Sequence, residues 1–216
     1  YNLFYSYPMN KTALMAEIFL MFVSAPLLIV FGFLPKESIM LILWAVTLYA
    51  YLHLRRSDIK VVALDFKRKD LYSILKRYVI ITSLMTLFIL VYEPENFLVL
   101  VKARPQFWFL VMLLYPFLSA FVQEVLFRNF FFFRYEALFR GHLFLFIFTN
   151  ALLFSYVHII FENWIAVIFT FFGGLLFAQT YLKTRSTLLT TIEHSLYGNT
   201  LYTLGLGHYF FHSANL

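Results

Sequence analysis

Residues 115–133 read Tyr-Pro-Phe-Leu-Ser-Ala-Phe-Val-Gln-Glu-Val-Leu-Phe-Arg-Asn-Phe-Phe-Phe-Phe, an almost wholly apolar run that nevertheless contains two charges. The charges are Glu124 and Arg128, and because they stand four residues apart they share one face of a helix. Placing either charge inside a bilayer costs at least a few kcal/mol on insertion scales. A segment that only had to cross the membrane would carry leucine at both positions. We therefore expect a functional site in a polar cavity, where the two charges compensate each other.

The composition excludes a soluble protein. The 216 residues are 62% hydrophobic and only 13% charged, which is more apolar surface than a soluble domain can bury. We therefore predict a polytopic membrane protein that forms one domain over residues 1–216. Cysteine is absent, so the chain has no disulfides and no thiol chemistry. The net charge of +6 comes from basic residues between hydrophobic segments, a pattern that suits anionic lipids and predicts no nucleic-acid partner.

Apolar runs of about the length needed to cross roughly 30 Å of hydrocarbon occur about seven times. They cover approximately residues 13–34, 38–54, 71–92, 107–133, 142–160, 163–182 and 187–206. This pattern predicts an all-α transmembrane helix bundle. Pro26 and Pro116 lie inside runs, and we expect neighbouring helices or water to satisfy the carbonyl groups that they release. Gly174 and Ala178 form a small-x-x-x-small pair, which predicts close packing of two helices.

The basic residues predict how the chain is oriented. Eight of the 17 Lys and Arg residues lie in segment 55–77, between the second and third apolar runs. By the positive-inside rule this segment is cytoplasmic, which places the N-terminus in the cytoplasm as well. With seven spans, 13 basic residues fall on the cytoplasmic side and three outside. We therefore expect an integral, multi-pass membrane protein with a cytoplasmic N-terminus.

Polar side chains at membrane depth concentrate in three of the later spans. The first three spans are nearly free of them, whereas ionisable groups are rarely placed at this depth without a function. This contrast predicts one active-site cavity among spans four to seven, within a core of about residues 107–206. The candidates are Gln123, Glu124 and Arg128 in the fourth span, Asn150, Phe154 and His158 on one face of the fifth, and Glu193, His194, Tyr197 and Asn199 in the seventh.

Three short motifs resemble those of one known family. Residues 123–128, Gln-Glu-Val-Leu-Phe-Arg, resemble the Glu-Glu-x-x-x-Arg motif of the CAAX protease and bacteriocin-processing family of membrane proteins. Residues 154–158, Phe-Ser-Tyr-Val-His, match its Phe-x-x-x-His motif, and residues 194–199, His-Ser-Leu-Tyr-Gly-Asn, resemble its His-x-x-x-Asn motif. The motifs occur in the family's order, each in a separate hydrophobic segment.

The resemblance implies an intramembrane endopeptidase similar to the type II CAAX prenyl proteases, in a bacterial or archaeal cell membrane. Its substrate would be a peptide or lipidated peptide within the bilayer. In the family, a glutamate and the first histidine activate a water, which implies Glu124 or position 123 together with His158. The second histidine and the asparagine stabilise the oxyanion, which implies His194 and Asn199. No cofactor is implied.

The sequence departs from the family's motifs at two places. Gln123 replaces the first glutamate and cannot act as a base, although it can position a water. Glu124 could take that role, but a close Arg128 would weaken it as a base while desolvation would strengthen it. The fourth residue after the second histidine is Gly198 and the asparagine is the fifth, about 140° away around a regular helix. Asn199 therefore reaches the cavity only if the helix bulges at Gly198, and otherwise Tyr197 is the better-placed donor.

Two alternatives to this mechanism stay open. In a zinc hydrolase, His158, His194 and one carboxylate, either Glu124 or Glu193, would supply three ligands and leave a fourth position for water. In a non-catalytic scaffold or immunity protein, Gln123 would mark an inactive site. The pair of Glu124 and Arg128 would then be a structural clamp between helices. A transporter is less expected, because the chain shows no repeated halves with broken helices.

Overall fold

The computed structural model describes residues 10–61 and 66–210, which form helices and connecting turns without a strand. Six helices are long and apolar enough to cross a membrane. They are α1 (Lys11–Val30), α2 (Ser38–Arg56), α3 (Arg68–Tyr92), α4 (Pro105–Phe139), α5 (Leu143–Phe161) and α6 (Trp164–Thr184). The predicted all-α, polytopic membrane fold is therefore confirmed, and whether residues 1–216 form a single domain stays a prediction.

The seventh predicted span forms a helix with a different character. Helix α7 (Thr187–Leu204) is not among the six, and 11 of its 18 residues are buried. It packs against α3, α4 and α6, so most of its surface faces protein. A helix in that position needs few lipid-facing residues, which explains why polar side chains are tolerated along it.

Helix α4 is irregular at the two places that bear on the site. It changes to π-helical turns at Pro116–Ala120 and again at Val125–Phe130, directly after Glu124. Pro116 has no N–H and cannot bond the carbonyl of Met112. The side-chain amide of Asn199 on α7 donates to that carbonyl at 3.3 Å. A neighbouring helix thus satisfies the released carbonyl, as predicted.

Small residues bring α5 and α6 into close contact. A Cβ added at Gly174 would lie 3.0 Å from the Cα of Ala151, so the two backbones meet there. Ala178 is fully buried one turn further along α6. The prediction of close packing is confirmed, and it fixes α5 next to α6 on one side of the polar cluster.

A buried amide fixes α4 relative to α7. Asn129 donates to the hydroxyl of Thr187 at 2.9 Å and to the carbonyl of Val61 at 3.2 Å. The hydroxyl of Tyr181 donates to the Asn129 side-chain oxygen at 3.3 Å. These bonds join α4, α6, the start of α7 and the loop after α2, and they hold the helices that carry the candidate residues in register.

Candidate active site

Glu124 on α4 and His194 on α7 form the centre of the polar cluster. The Glu124 side chain is fully buried, and its Oε1 lies 2.8 Å from the Nδ1 of His194. An ionised carboxylate can only accept a hydrogen bond, so Nδ1 carries the proton of this bond. The carboxylate thereby fixes both the orientation of the imidazole and the nitrogen that holds the proton.

The other edge of the His194 ring meets a phenol that the sequence analysis did not identify. The Nε2 of His194 lies 3.0 Å from the hydroxyl of Tyr115 on α4. The imidazole also stacks on Phe177 with a centroid distance of 4.6 Å. Glu124, His194 and Tyr115 therefore form a continuous hydrogen-bonded chain. A tyrosine in an apolar helix is typical of packing, and only the proline that follows it marks the position.

Arg128 lies beside this chain and joins α4 to α5. It is fully buried, its Nε is 3.3 Å from the Oε2 of Glu124, and one terminal nitrogen donates to Asn150 at 2.9 Å. Asn150 in turn donates to the carbonyl of Phe127 at 2.7 Å. The predicted compensation of the two charges is therefore present, with Asn150 as a third partner that explains why an amide occupies α5 there.

Phe154 occupies the space between the charged groups and the two histidines. Its ring centre lies 4.8 Å from the Arg128 guanidinium carbon, 5.6 Å from the His194 ring centre and 5.1 Å from that of His158. The ring meets the His194 imidazole almost at a right angle. The phenylalanine of the second motif thus positions both histidines by packing.

His158 follows the regular part of α5, in a 3₁₀ turn over Val157–Phe161. Its Nδ1 is 2.7 Å from the carbonyl oxygen of Phe154, and a carbonyl can only accept. Nδ1 must therefore carry a proton, which leaves Nε2 of the neutral ring with a free lone pair. No direct bond joins His158 to Glu124 within residues 10–61 and 66–210, and the expectation that Glu124 or position 123 activates a water together with His158 stays a prediction.

Gln123 retains one free acceptor. Its amide nitrogen donates to the hydroxyl of Ser119 at 2.8 Å. Its Oε1 is buried and has no hydrogen-bond partner among the described residues. The expectation that Gln123 positions a water by accepting a hydrogen bond stays a prediction, and the free oxygen is compatible with it.

Asn199 and Tyr197, the two alternatives for an oxyanion donor beside His194, both lie on α7. Helix α7 is a regular α-helix through Gly198, so the bulge that Asn199 would need is absent from it. Asn199 instead bonds the Met112 carbonyl, as described above. The Tyr197 ring packs near Phe177, and its hydroxyl is buried without a partner in the parts of the chain that the structure covers. Neither side chain hydrogen-bonds His194.

Glu193 belongs to a separate ion pair, in which the carboxylate is buried and the guanidinium is partly exposed. Its Oε1 accepts from Arg77 at 2.8 Å and its Oε2 from Thr180 at 2.5 Å, on the side of α7 that faces α3 and α6. Adjacent residues on a helix point about 100° apart, so Glu193 lies away from the cluster that contains His194. No group of three metal-ligating side chains that could hold an ion occurs within residues 10–61 and 66–210.

Comparison with known proteins finds one family that the region around these residues resembles. The family model for type II CAAX prenyl endopeptidase Rce1-like proteins matches residues 105–199, a range that includes all three motifs and Tyr115. No curated protein and no solved structure matches the chain. The matched range begins with α4 and ends on α7, and it contains the cluster around Glu124. Through this region, the chain is similar to the Rce1-like type II CAAX prenyl endopeptidases, a family whose members are generally proteases.

Proposed function

We propose that this chain is an intramembrane endopeptidase that hydrolyses a peptide or lipidated peptide and depends on Glu124. The observation that carries the proposal is the 2.8 Å bond between the fully buried Glu124 and His194. A carboxylate at this depth is costly and is retained when it has a task. A carboxylate that fixes the protonation and direction of an imidazole prepares that imidazole for acid–base or electrostatic catalysis.

In this proposal His158 is the general base. Its Nδ1–H is committed to the Phe154 carbonyl, so Nε2 presents the lone pair that can accept a proton from water. The free Oε1 of Gln123 accepts a second hydrogen bond from the same water. Glu124 accepts the Nδ1–H of His194 and so fixes the direction of the imidazole ring.

The chemical step then balances without a metal ion. The water oxygen attacks the scissile carbonyl carbon while His158 takes one of its protons, and the carbonyl π electrons move onto oxygen. The oxyanion forms on the side of His194. When the C–N bond breaks, the leaving nitrogen takes the proton back from His158. The products are a carboxylic acid and an amine.

The family description supplies the first substrate to test, a prenylated C-terminus. The probe is a fluorogenic peptide that ends in a farnesylated cysteine followed by two aliphatic residues and a variable one, presented in liposomes with the purified protein. We expect the wild type to cleave it and His158→Ala to lose about 10²–10⁴ in kcat, which is the usual contribution of a general base. Activity that survives unchanged in His158→Ala would contradict the assigned base.

The same assay tests the zinc alternative. Both ring nitrogens of His194 have protein partners, Glu124 and Tyr115, and the Nδ1 of His158 has another. We therefore propose that cleavage continues in the presence of a chelator. Cleavage that stops with chelator and returns with added zinc, together with stoichiometric zinc in the purified protein, would favour the metal-dependent reading.

One observation favours a second candidate, a family member without catalysis that acts as a membrane scaffold or immunity protein. Gln123 stands where the family has its first glutamate, and Glu124 bonds His194 through one carboxylate oxygen while the other lies 3.3 Å from Arg128. In that case the polar cluster only clamps α4, α5 and α7 together. The wild type would then bind but not cleave any peptide probe.

Replacing Gln123 with glutamate separates the two candidates. The hydroxyl of Ser119, which now accepts from Gln123, can rotate to donate to the new carboxylate. If the wild type is a slow protease, Gln123→Glu should raise kcat by about tenfold or more, because a second base is added next to the water. Gln123→Ala should lower it. If Gln123→Glu alone cleaves the farnesylated probe, the native chain is a disarmed member of the family.

A further inference from the structure

Gly198 leaves a space in α7 that a side chain of α4 fills. It is the fourth residue after His194 and therefore lies on the same face of the helix. A Cβ built at Gly198 would collide with the ring of Tyr115, and its three nearest atoms would be Cε1, Cζ and the hydroxyl oxygen. The phenol hydroxyl thus occupies the volume into which any side chain at position 198 would project.

The hydroxyl in that space is also hydrogen-bonded to the candidate catalytic histidine. It lies 3.0 Å from the Nε2 of His194, whose Nδ1 is held by Glu124. The ring is supported by an edge-on contact with Tyr202, with centroids 5.7 Å apart. The phenol is therefore a positioned group at the end of a carboxylate–imidazole–phenol chain.

The side-chain amide of Asn199, which could have been an oxyanion donor, is already hydrogen-bonded to another group. Asn199 donates to the Met112 carbonyl that Pro116 releases, and moving it would leave that partly buried carbonyl without this bond. Pro116 follows directly after Tyr115, so the same irregularity of α4 both engages the asparagine and places the phenol. Position 198, where the motif of similar proteins has its asparagine, carries no side chain at all.

We infer that Tyr115 is a catalytic residue whose hydroxyl donates to the oxyanion, in the space that Gly198 leaves open. With Nδ1–H donating to Glu124, the Nε2 lone pair of His194 accepts the phenol O–H in the resting site. When the carbonyl oxygen becomes negatively charged, the phenol O–H turns from Nε2 to that oxygen. No proton is transferred from Tyr115, because it only donates a hydrogen bond while the charge on the carbonyl oxygen exists. This inference rests on the proposed endopeptidase function.

The test begins with removal of the hydroxyl alone. Tyr115→Phe keeps the ring that fills the space at Gly198, and it should lower kcat on the farnesylated probe by about 10²–10³ with little change in KM, as for other single oxyanion donors. Tyr202→Phe is the matched control, because it removes a hydroxyl from the adjacent ring, and it should behave as wild type. Equal kcat values for the two folded variants would overturn the inference.

A swap of donors distinguishes catalysis from packing. Tyr115→Ala empties the space, and Gly198→Asn in the same chain then offers an amide from the fourth position after His194. We expect Tyr115→Ala to be as slow as Tyr115→Phe. The kcat of the double variant should be at least about tenfold higher than that of Tyr115→Ala, since an amide can also donate to an oxyanion. Gly198→Asn alone should be disruptive, because its side chain meets the Tyr115 ring.

The outcomes separate this inference from the function on which it rests. If the wild type cleaves, His158→Ala does not, and Tyr115→Phe keeps full activity, only the role of Tyr115 is overturned. If no variant cleaves, including wild type and Gln123→Glu, the endopeptidase function is lost and the inference with it. If Tyr115→Phe does not fold, the comparison of Tyr115→Ala with Tyr115→Ala/Gly198→Asn takes its place. A double variant with a kcat no higher than that of Tyr115→Ala overturns the assignment.

Discussion

Replacing Glu124 with glutamine should reduce kcat on the farnesylated peptide by about 10²–10⁴, the range over which positioned acid–base groups act. Glutamine has the same shape, but its amide is uncharged and its oxygen is a weaker acceptor for the Nδ1–H of His194. Its nitrogen can also turn towards the imidazole and reverse the hydrogen bond that is now 2.8 Å long. The initial rate of cleavage, measured with saturating peptide in liposomes, reports this loss directly.

The control for this experiment is a second buried carboxylate. Glu193→Gln removes a charge one residue before His194 but within the separate cluster of Arg77 and Thr180. It should affect thermal stability more than kcat. If Glu124→Gln elutes as a folded protein and cleaves as fast as wild type, Glu124 has no part in the reaction and the proposed mechanism is wrong.

Arg128→Met should destabilise the folded protein by about 3–5 kcal/mol, the usual effect of removing one partner from a buried ion pair. Both side chains of the pair are fully buried, so the carboxylate of Glu124 would remain without its compensating charge. The amide oxygen of Asn150 would also lose its donor. Unfolding by denaturant in detergent, followed by tryptophan fluorescence, measures the change.

Two further variants show whether the loss comes from an uncompensated charge. In Glu124→Gln/Arg128→Met both charges are absent, and a substantial part of the lost stability should return. Lys183→Met removes a cation from a half-exposed pair with Asp70 at 3.5 Å, and it should cost less than about 1 kcal/mol. A double variant as unstable as Arg128→Met alone would show that packing around the guanidinium, rather than charge, is what Arg128 supplies.

The sequence was sufficient for the fold because the lipid environment imposes simple rules. Long apolar runs, a basic loop and two prolines are all local features, and the helices begin and end close to the predicted runs. The same reasoning identified Glu124, Arg128 and His194, because each is costly at membrane depth and therefore conspicuous. The close approach of α5 and α6 at Gly174 was likewise readable from the spacing of small residues.

Partners within the site could not be predicted, since they depend on how irregular helices face each other. Glu124 or position 123 was expected to act with His158, and the bond from Glu124 to His194 was not foreseen. Asn199 was expected to reach the cavity only through a bulge at Gly198, and its amide instead bonds the carbonyl released by Pro116. Tyr115 carries no charge, so placing it at membrane depth has no large energetic cost that would have marked it in the sequence. In retrospect the only local indications were Pro116 and the missing side chain at Gly198.

Helix α7 also determines when during synthesis the site can exist. A segment with so many polar groups gains little by leaving the translocon for lipid on its own. Its buried side chains find their partners, Arg77 on α3 and Glu124 on α4, on helices that the ribosome has already made. Helix α7 therefore enters a bundle that is already assembled around it. The nascent chain cannot form the bond between Glu124 and His194 until α7 is in place, so any activity of this cluster would begin only after α7 has entered the bundle.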